Sequence, residues 1–220
     1  MPETNPSQGE IRPLHIGDIV PRFAARSTQG PIDLGDYDDQ WVVLFAHPAD
    51  FTPVCTSEFI ALAQAADEFA ALDCALMGIS VDSLFSHLAW IRMIHEMSGV
   101  KVEFPLIEDP TMEIARAYGM IGDDANDATT VRSTYFIAPG GILRASVTYP
   151  PNVGRSIPEM LRLLRALQQA DSENALVPAD WQVGDDLLRA PEETSANLFK
   201  QANATDWFYS KLGSKGRRND

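Results

Sequence analysis

The sequence has few cysteines, and they do not occur in a redox or metal-binding motif. Only Cys55 and Cys74 occur in 220 residues, and they do not form a Cys-x-x-Cys pair. No disulfide framework is therefore implied, and two unpaired thiols are typical of a reducing compartment. No His-Glu-x-x-His pattern is present, so the sequence predicts neither a bound metal nor a cofactor.

The sequence also lacks an excess of basic residues and any long apolar segment. Seventeen Lys and Arg stand against 31 Asp and Glu, which gives a formal net charge of −14. Nucleic acids and anionic membrane surfaces attract basic proteins, so we expect neither as a partner. No apolar run is long enough to span a bilayer, and residues 1–9 show no signal-peptide pattern, so we expect a cytoplasmic protein.

Residues 47–55, His-Pro-Ala-Asp-Phe-Thr-Pro-Val-Cys, link a predicted strand to a predicted helix. The run before them is short, apolar and rich in β-branched and aromatic residues, as in a buried strand. Apolar residues then recur at helical spacing as far as residue 72. Thr52 is a candidate N-cap and Pro53 suits the first helical position, which places Cys55 third in the helix.

This position makes Cys55 a candidate nucleophile. The first amides of a helix lack partners within it, and with the positive end of the helix dipole they favour a thiolate. The acidic composition disfavours one, so a reactive Cys55 needs a nearby cation as well. The alternative is a small buried residue without chemistry, and position alone leaves both open. Cys74, which begins a second apolar run, is predicted to be a core residue.

The order of predicted elements indicates an α/β fold. Apolar runs at residues 41–46 and 74–81, with a helix between them, make a βαβ unit with parallel strands. One edge strand is expected within residues 16–30. The next prediction is a helix over 83–97 with Leu84, Leu88 and Ile91 on its apolar side, where His87 is interpreted as a surface or packing residue. The later predictions are a strand at 104–107, a short helix at 110–118, a hairpin of 131–138 with 142–149, and a helix from 156 to about 170.

This order is a thioredoxin-like arrangement, a central mixed sheet flanked by helices. We expect one domain over residues 11–170 and a C-terminal extension arm over residues 171–220. The extension has too few apolar residues for a core of its own, so we expect it to pack on the main domain or in a dimer. Its last residues, 213–220, are predicted to be disordered.

The loop also resembles the active-site signature of the peroxiredoxins. Pro48, Thr52 and Cys55 match the Pro-x-x-x-Thr-x-x-Cys pattern, and residues 45–58 resemble the one-cysteine, peroxiredoxin-6-type subfamily. The similarity covers about residues 11–188. The other similar segments are His87-Leu88-Ala89-Trp90, Arg132 at the start of a strand, Tyr149-Pro150, Gly154-Arg155 and Val177-Pro178-Ala179-Asp180-Trp181.

The resemblance implies thiol-dependent reduction of hydrogen peroxide and organic hydroperoxides. In the family, the cysteine matching Cys55 attacks a peroxide oxygen, expels water or alcohol and becomes a sulfenic acid. The residue matching Arg132 supplies the cation. The residue matching Thr52 directs its hydroxyl at sulfur and peroxide, and the one matching Pro48 covers the pocket from water.

Three further residues match positions near the family's active site. His47 is either a wall of the pocket or a direct participant. Arg155 is expected to anchor Glu58 and to act on the site through it.

The resemblance also limits the partners and the chemistry. No cysteine follows Cys74, so reduction requires an external thiol such as glutathione, thioredoxin or a small dithiol. The family assembles as homodimers or as rings of dimers. Some members hydrolyse phospholipids through a serine motif, which is replaced here by Asp38-Asp39-Gln40-Trp41-Val42, so we do not expect that activity. The alternative function is a redox-signalling or holdase scaffold with little peroxide turnover.

Overall fold

A computed structural model describes residues 13–121, 129–173, 175–200 and 203–212 of the chain. The predicted disordered tail at residues 213–220 lies outside these ranges. The chain divides into two compact units, residues 1–157 and 158–220.

The first unit is built on a seven-stranded mixed sheet with the strand order β2-β1-β5-β4-β3-β6-β7. The pairs β3–β4 and β4–β5 are parallel, and the other neighbours are antiparallel. The predicted thioredoxin-like fold and its βαβ unit are confirmed. The strands are β1 (Ala24–Ser27), β2 (Gly30–Asp33), β3 (Trp41–Ala46), β4 (Cys74–Ser80), β5 (Leu106–Glu108), β6 (Arg132–Ala138) and β7 (Ile142–Tyr149).

Among the described residues, four α-helices and one 3₁₀ helix connect these strands. They are the 3₁₀ helix Leu34–Tyr37, α1 (Pro53–Gln64), α2 (Ala66–Ala70), α3 (Leu84–Ser98) and α4 (Glu113–Ala117). α1 begins with Pro53 after Thr52 in the N-cap position, as predicted. The predicted continuous helix over residues 53–72 is wrong, because it is interrupted at Ala65, whose φ of −98° and ψ of 1° lie outside helical geometry.

The central strands explain the sequence pattern around the site. All six residues of β3 are buried, and a strand covered on both faces needs the continuous apolar run that residues 41–46 provide. β6 is also fully buried, yet it begins with the polar residues Arg132, Ser133 and Thr134. Buried polar groups require partners, so the side chains at the start of β6 must find hydrogen-bond partners on neighbouring elements.

Two other local predictions differ from the structure. Residues 16–30 were expected to hold one edge strand, but β1 and β2 form a hairpin whose turn ends at Gly30, with φ of +105°. Of these two strands, β2 lies at an edge of the sheet, whereas β1 pairs with both β2 and β5. In α3 the leucine spacing predicted that Leu88 faces inward, whereas the buried side chains are His87, Trp90 and Ile94. Leu88 is 40% exposed.

The second unit begins within the first turn of α5, which spans Ile157–Glu173 and so starts close to the predicted residue. Two short strands, β8 (Leu187–Leu188) and β9 (Lys211–Leu212), pair antiparallel, and α6 (Ser195–Leu198) lies between them in sequence. Trp181 is buried and its indole N–H donates to the carbonyl of Asp185. Within the described ranges, no helix is long and apolar enough to cross a membrane.

Candidate active site

The loop after β3 delivers Cys55 to the first turn of α1. Cys55 is the third residue of the helix, as the sequence predicted, and its side chain is fully buried. Thr52 occupies the N-cap position, but its hydroxyl donates to the carbonyl of Ala49 at 2.9 Å and does not cap the helix. The only hydroxyl proton of Thr52 is therefore used within the loop, and its oxygen keeps the capacity to accept a hydrogen bond.

Arg132 is the cation beside Cys55 that a reactive thiol needs in so acidic a protein. β6 runs antiparallel to β3, so the start of β6 lies beside the end of β3 from which the cysteine loop leaves. Nη1 of Arg132 lies 3.3 Å from the Cys55 sulfur, although the residues are 77 positions apart. Nε and Nη2 of Arg132 donate to the carbonyl of Pro151 at 3.0 and 2.7 Å, which fixes the plane of the guanidinium.

Glu58 joins Arg132 to a second buried arginine. Nη1 of Arg132 donates to Glu58 Oε2 at 2.8 Å. Arg155 donates to the same carboxylate from Nε at 3.0 Å, from Nη2 at 2.7 Å and from its backbone amide at 2.7 Å. Its guanidinium also lies 5.1 Å from the ring centre of Phe45. The paired hydrogen bonds from Arg155 fix the Glu58 carboxylate, and the carboxylate in turn positions Arg132.

Cys55, Arg132, Glu58 and Arg155 form one buried group. Burial opposes ionisation of Glu58, but the hydrogen bonds and charges of Arg155 and Arg132 outweigh it and hold the pKa of Glu58 below its usual value. With Glu58 ionised, two guanidinium groups face one carboxylate, which leaves one positive charge uncompensated. A thiolate at Cys55 balances that charge, whereas a neutral thiol does not.

A second buried cluster joins the same loop to α3. His47 Nε2 lies 2.9 Å from one carboxylate oxygen of Asp50, and His87 Nδ1 lies 2.8 Å from the other. Sequence analysis placed His47 near the site but not Asp50, and it interpreted His87 as a surface or packing residue. Because His87 is on α3, 37 residues from Asp50, only the packing of α3 brings them together.

The three residues of this cluster are the one group among the described residues whose types and spacing suit a metal ion. Two of the ring nitrogens already lie at hydrogen-bond distance from Asp50, and all three side chains are buried. These distances fit a hydrogen-bonded network.

The remaining predicted residue, Pro48, is buried in the loop between His47 and Asp50. Beside this loop lies a hollow of about 440 Å³. Its lining is predominantly apolar and includes Phe51, Thr52, Pro53, Trp90, Met93 and Met97.

A thiol at a helix N-terminus beside a buried guanidinium, on a thioredoxin-like sheet, defines a thiol-based redox protein. The AhpC/TSA family model matches residues 16–146. The chain belongs to this family, the peroxiredoxins, and is a thiol-dependent peroxidase.

Individual relatives are similar to this chain over nearly its whole length. Peroxiredoxin 2 of Caldanaerobacter subterraneus subsp. tengcongensis is 44% identical over 205 residues, 90% of this chain and 93% of that one. The structure of the yeast mitochondrial 1-Cys peroxiredoxin is 38% identical with a TM-score of 0.80, over 90% of this chain and 99% of that one. The structure of a mutant of peroxiredoxin 6 of Arenicola marina is 30% identical with a TM-score of 0.80, over 93% of this chain and 99% of that one.

Proposed function

We propose that Cys55 is the residue that reduces peroxide, that its oxidised form is a sulfenic acid, and that an external thiol regenerates it. The contact of 3.3 Å between Arg132 Nη1 and the Cys55 sulfur carries this proposal. It gives the sulfur a charge partner in a buried site, where an isolated thiolate would be costly.

The reaction proceeds in two stages. The thiolate of Cys55 attacks one peroxide oxygen, the S–O bond forms as the O–O bond breaks, and the leaving oxygen takes a proton to become water or an alcohol. An external thiol then attacks the sulfenic acid, releasing water and forming a mixed disulfide. A second thiol cleaves that disulfide and restores Cys55.

The position of Cys74 supports an external reductant. Cys74 pairs with Trp41 at the start of β3 and β4, whereas Cys55 follows the far end of β3. Six residues of strand span about 17 Å, and a disulfide needs Cα atoms within about 7 Å. Burial also raises the pKa of the Cys74 thiol to about 12. The yeast relative is described as resolving its thiol via glutathione/thioredoxin systems, and we propose a reductant of this kind, or a small dithiol, here.

The polar groups around Cys55 have separate roles in this proposal. Four of the five N–H groups of Arg132 have partners among the described residues, and the fifth, on Nη2, is left to donate to a peroxide oxygen. The Thr52 oxygen accepts from the peroxide hydroxyl. Glu58 and Arg155 position Arg132, and Pro48 covers the pocket from water. Donors aimed at the oxygens stabilise the transition state, in which charge moves from sulfur to oxygen.

The apolar hollow beside Thr52 and Pro53 supports organic hydroperoxides as substrates in addition to hydrogen peroxide. Pockets lined by apolar and soft side chains, such as Met93, accept varied apolar groups. We therefore assign the organic part of the substrate to this hollow.

We also propose a homodimer, or a ring of dimers, in the cytoplasm. β7 lies at one edge of the described sheet, and an exposed edge is a template for pairing with a second copy. Residues 171–220 would pack in that dimer, since the exposed aromatic side chains Phe199, Phe208 and Tyr209 need cover. Two free thiols suit a reducing compartment.

The proposal is tested by trapping the intermediate. Reduced protein treated with one equivalent of hydrogen peroxide should react with dimedone at Cys55, and glutathione, thioredoxin or dithiothreitol should then support repeated turnover. The variant Cys74→Ser is the matched control and should behave as the wild type, whereas Cys55→Ser should give neither adduct nor turnover. An adduct at Cys74, or a mixed disulfide with a protein and no turnover by any thiol, would overturn the proposal in favour of a signalling scaffold.

A further inference from the structure

The methionines of the described ranges fall into two groups by their exposure to solvent. Four of them are buried or packed partly buried against the core, namely Met77, Met112, Met120 and Met160. The other two, Met93 and Met97, are 49% and 66% exposed. Methionine is usually a buried residue, and exposed apolar side chains that cluster in one place mark a functional surface.

Both exposed methionines belong to the apolar hollow beside the cysteine loop. They are four positions apart on α3, so their side chains lie on one face of the helix. Both line the hollow of about 440 Å³, whose lining also includes Thr52 and Pro53 at the start of the cysteine helix. The hollow therefore combines an apolar surface with two thioethers, the groups of methionine that peroxides oxidise.

A hydroperoxide oxidises a thioether by transfer of one oxygen atom. The methionine sulfur attacks one peroxide oxygen, and the S–O bond forms as the O–O bond breaks. The proton of the attacked oxygen moves to the leaving oxygen, which departs as water or an alcohol, and the product is methionine sulfoxide. Sulfur loses two electrons and the peroxide gains them, so the substrate of the peroxidase is the only reactant that the step needs.

We propose that Met93 and Met97 are modification sites at which excess hydroperoxide forms methionine sulfoxide, and that the modified hollow rejects organic hydroperoxides while hydrogen peroxide is still reduced. The inference rests on the proposed binding of the organic part of the substrate in this hollow, and it adds regulation to that same site. Methionine sulfoxide reductases reverse the modification, so the change of substrate range lasts until the protein is repaired.

Cys55 protects the two methionines while reductant is plentiful. Its thiolate, held beside Arg132, is the stronger nucleophile and consumes peroxide first. Once Cys55 has become a sulfenic acid, it offers no thiolate until an external thiol has restored it. Peroxide in excess over the reductant therefore reaches the thioethers of the hollow.

The change in substrate range follows from the polarity of the product. A sulfoxide turns a flexible apolar side chain into a polar one. Its oxygen binds water, and an organic group that enters the hollow must displace that water without replacing its hydrogen bonds. Hydrogen peroxide has no organic group to place in the hollow, so its reaction with Cys55 does not depend on this surface.

Peptide mass spectrometry tests where the protein is oxidised. Cys55 is first blocked with methyl methanethiosulfonate, the protein is treated with excess hydrogen peroxide, and dithiothreitol then removes the block. We expect Met93 and Met97 to be oxidised at least about tenfold faster than Met77 and Met120, which are 0% exposed and serve as internal controls. Equal rates at the four positions would overturn the inference.

Stopped-flow rate constants for Cys55 with cumene hydroperoxide and with hydrogen peroxide test the consequence, each protein being compared with itself before treatment. In the wild type, the first should fall by about tenfold and the second should change by less than about twofold. The variant Met93→Leu/Met97→Leu keeps apolar side chains of similar volume without the sulfurs, so treatment should leave the ratio of its two rate constants within about twofold. Methionine sulfoxide reductase should restore the ratio in the wild type.

The outcomes separate this inference from the function on which it rests. An unchanged ratio in the oxidised wild type, or an equal fall in the double variant, would overturn the inference alone, because sulfoxides at these positions would not control the choice of substrate. An untreated protein that reacts with hydrogen peroxide but not with cumene hydroperoxide would refute the assignment of the hollow, and the inference with it. An untreated protein whose Cys55 reacts with neither peroxide would refute the proposed function itself.

Discussion

Replacing Arg132 with glutamine removes the cation that, in the described part of the chain, contacts the Cys55 sulfur. Glutamine is shorter than arginine and keeps a hydrogen-bond donor near the position of Nε, but it carries no charge. The pair of Glu58 and Arg155 keeps its own hydrogen bonds. The Cys55 sulfur, Glu58 Oε2 and the carbonyl of Pro151 lose the donors that Arg132 supplies.

The size of the effect follows from the contact distance. Two unit charges 3.3 Å apart interact by about 5 kcal/mol at an effective dielectric constant of about 20. Only the part of this interaction that acts in the transition state changes the rate, and removing one such donor costs about a hundred- to thousandfold in other enzymes. We therefore expect the second-order rate constant for oxidation of Cys55 by hydrogen peroxide to fall by about that factor.

Stopped-flow tryptophan fluorescence measures this rate constant, because Trp90 donates to Thr56 beside the reacting cysteine. Arg92→Gln on the exposed face of α3 is the matched control and should react as the wild type within about twofold. Arg132→Lys keeps the charge but loses the planar guanidinium with its several donors, so its rate constant should lie between those of the wild type and Arg132→Gln. A fall of less than about fivefold in a folded Arg132→Gln protein would refute the electrostatic reasoning, because the contact would then add nothing to the transition state.

Three other predictions concern separate parts of the site. Glu58 has a folded pKa below its unfolded value near 4.5, so the stability it adds is present above that value and is lost as the pH falls through the folded pKa. Chemical unfolding should therefore show a steeper loss of stability below about pH 5 in the wild type than in Glu58→Gln, and equal slopes would contradict this. Cys74→Ser should leave the rate constant for peroxide within about twofold, measured by stopped flow, because Cys74 lies at the other end of the sheet. Met93→Asp should lower the rate with cumene hydroperoxide by about tenfold and leave the rate with hydrogen peroxide unchanged. The organic group would have to displace water from the new carboxylate, which hydrogen peroxide does not need to do, and equal effects on both rates would contradict this.

The local part of the site could be predicted from the sequence because it is contained in one segment. An apolar strand, a loop and a proline-started helix place Cys55 in the first turn, and the acidic composition requires a cation beside it. The resemblance to the family identifies Arg132 as the residue that supplies this cation. Residue patterns alone do not show it, because the pairing of β3 with β6 joins positions far apart in the chain.

The parts that the sequence did not predict depend on tertiary packing. Periodicity favoured leucine on the inner face of α3, but His87 is buried because Asp50 and Ile107 satisfy both of its nitrogens. Hydropathy cannot detect a polar residue whose partners lie on other elements. The Thr52 side chain is a related case, since its hydroxyl bonds within the loop while its backbone still marks the start of α1.

The central claim is that Cys55 reduces peroxide in the site formed with Arg132. The most direct measurement mixes the reduced protein with increasing hydrogen peroxide and follows tryptophan fluorescence, beside Cys55→Ser and a count of free thiols. The account predicts a fast change whose rate rises linearly with peroxide concentration, the loss of one thiol per chain, and no change in Cys55→Ser. A wild-type thiol that reacts no faster than free cysteine, or a Cys55→Ser protein that still shows the fluorescence change, would contradict it.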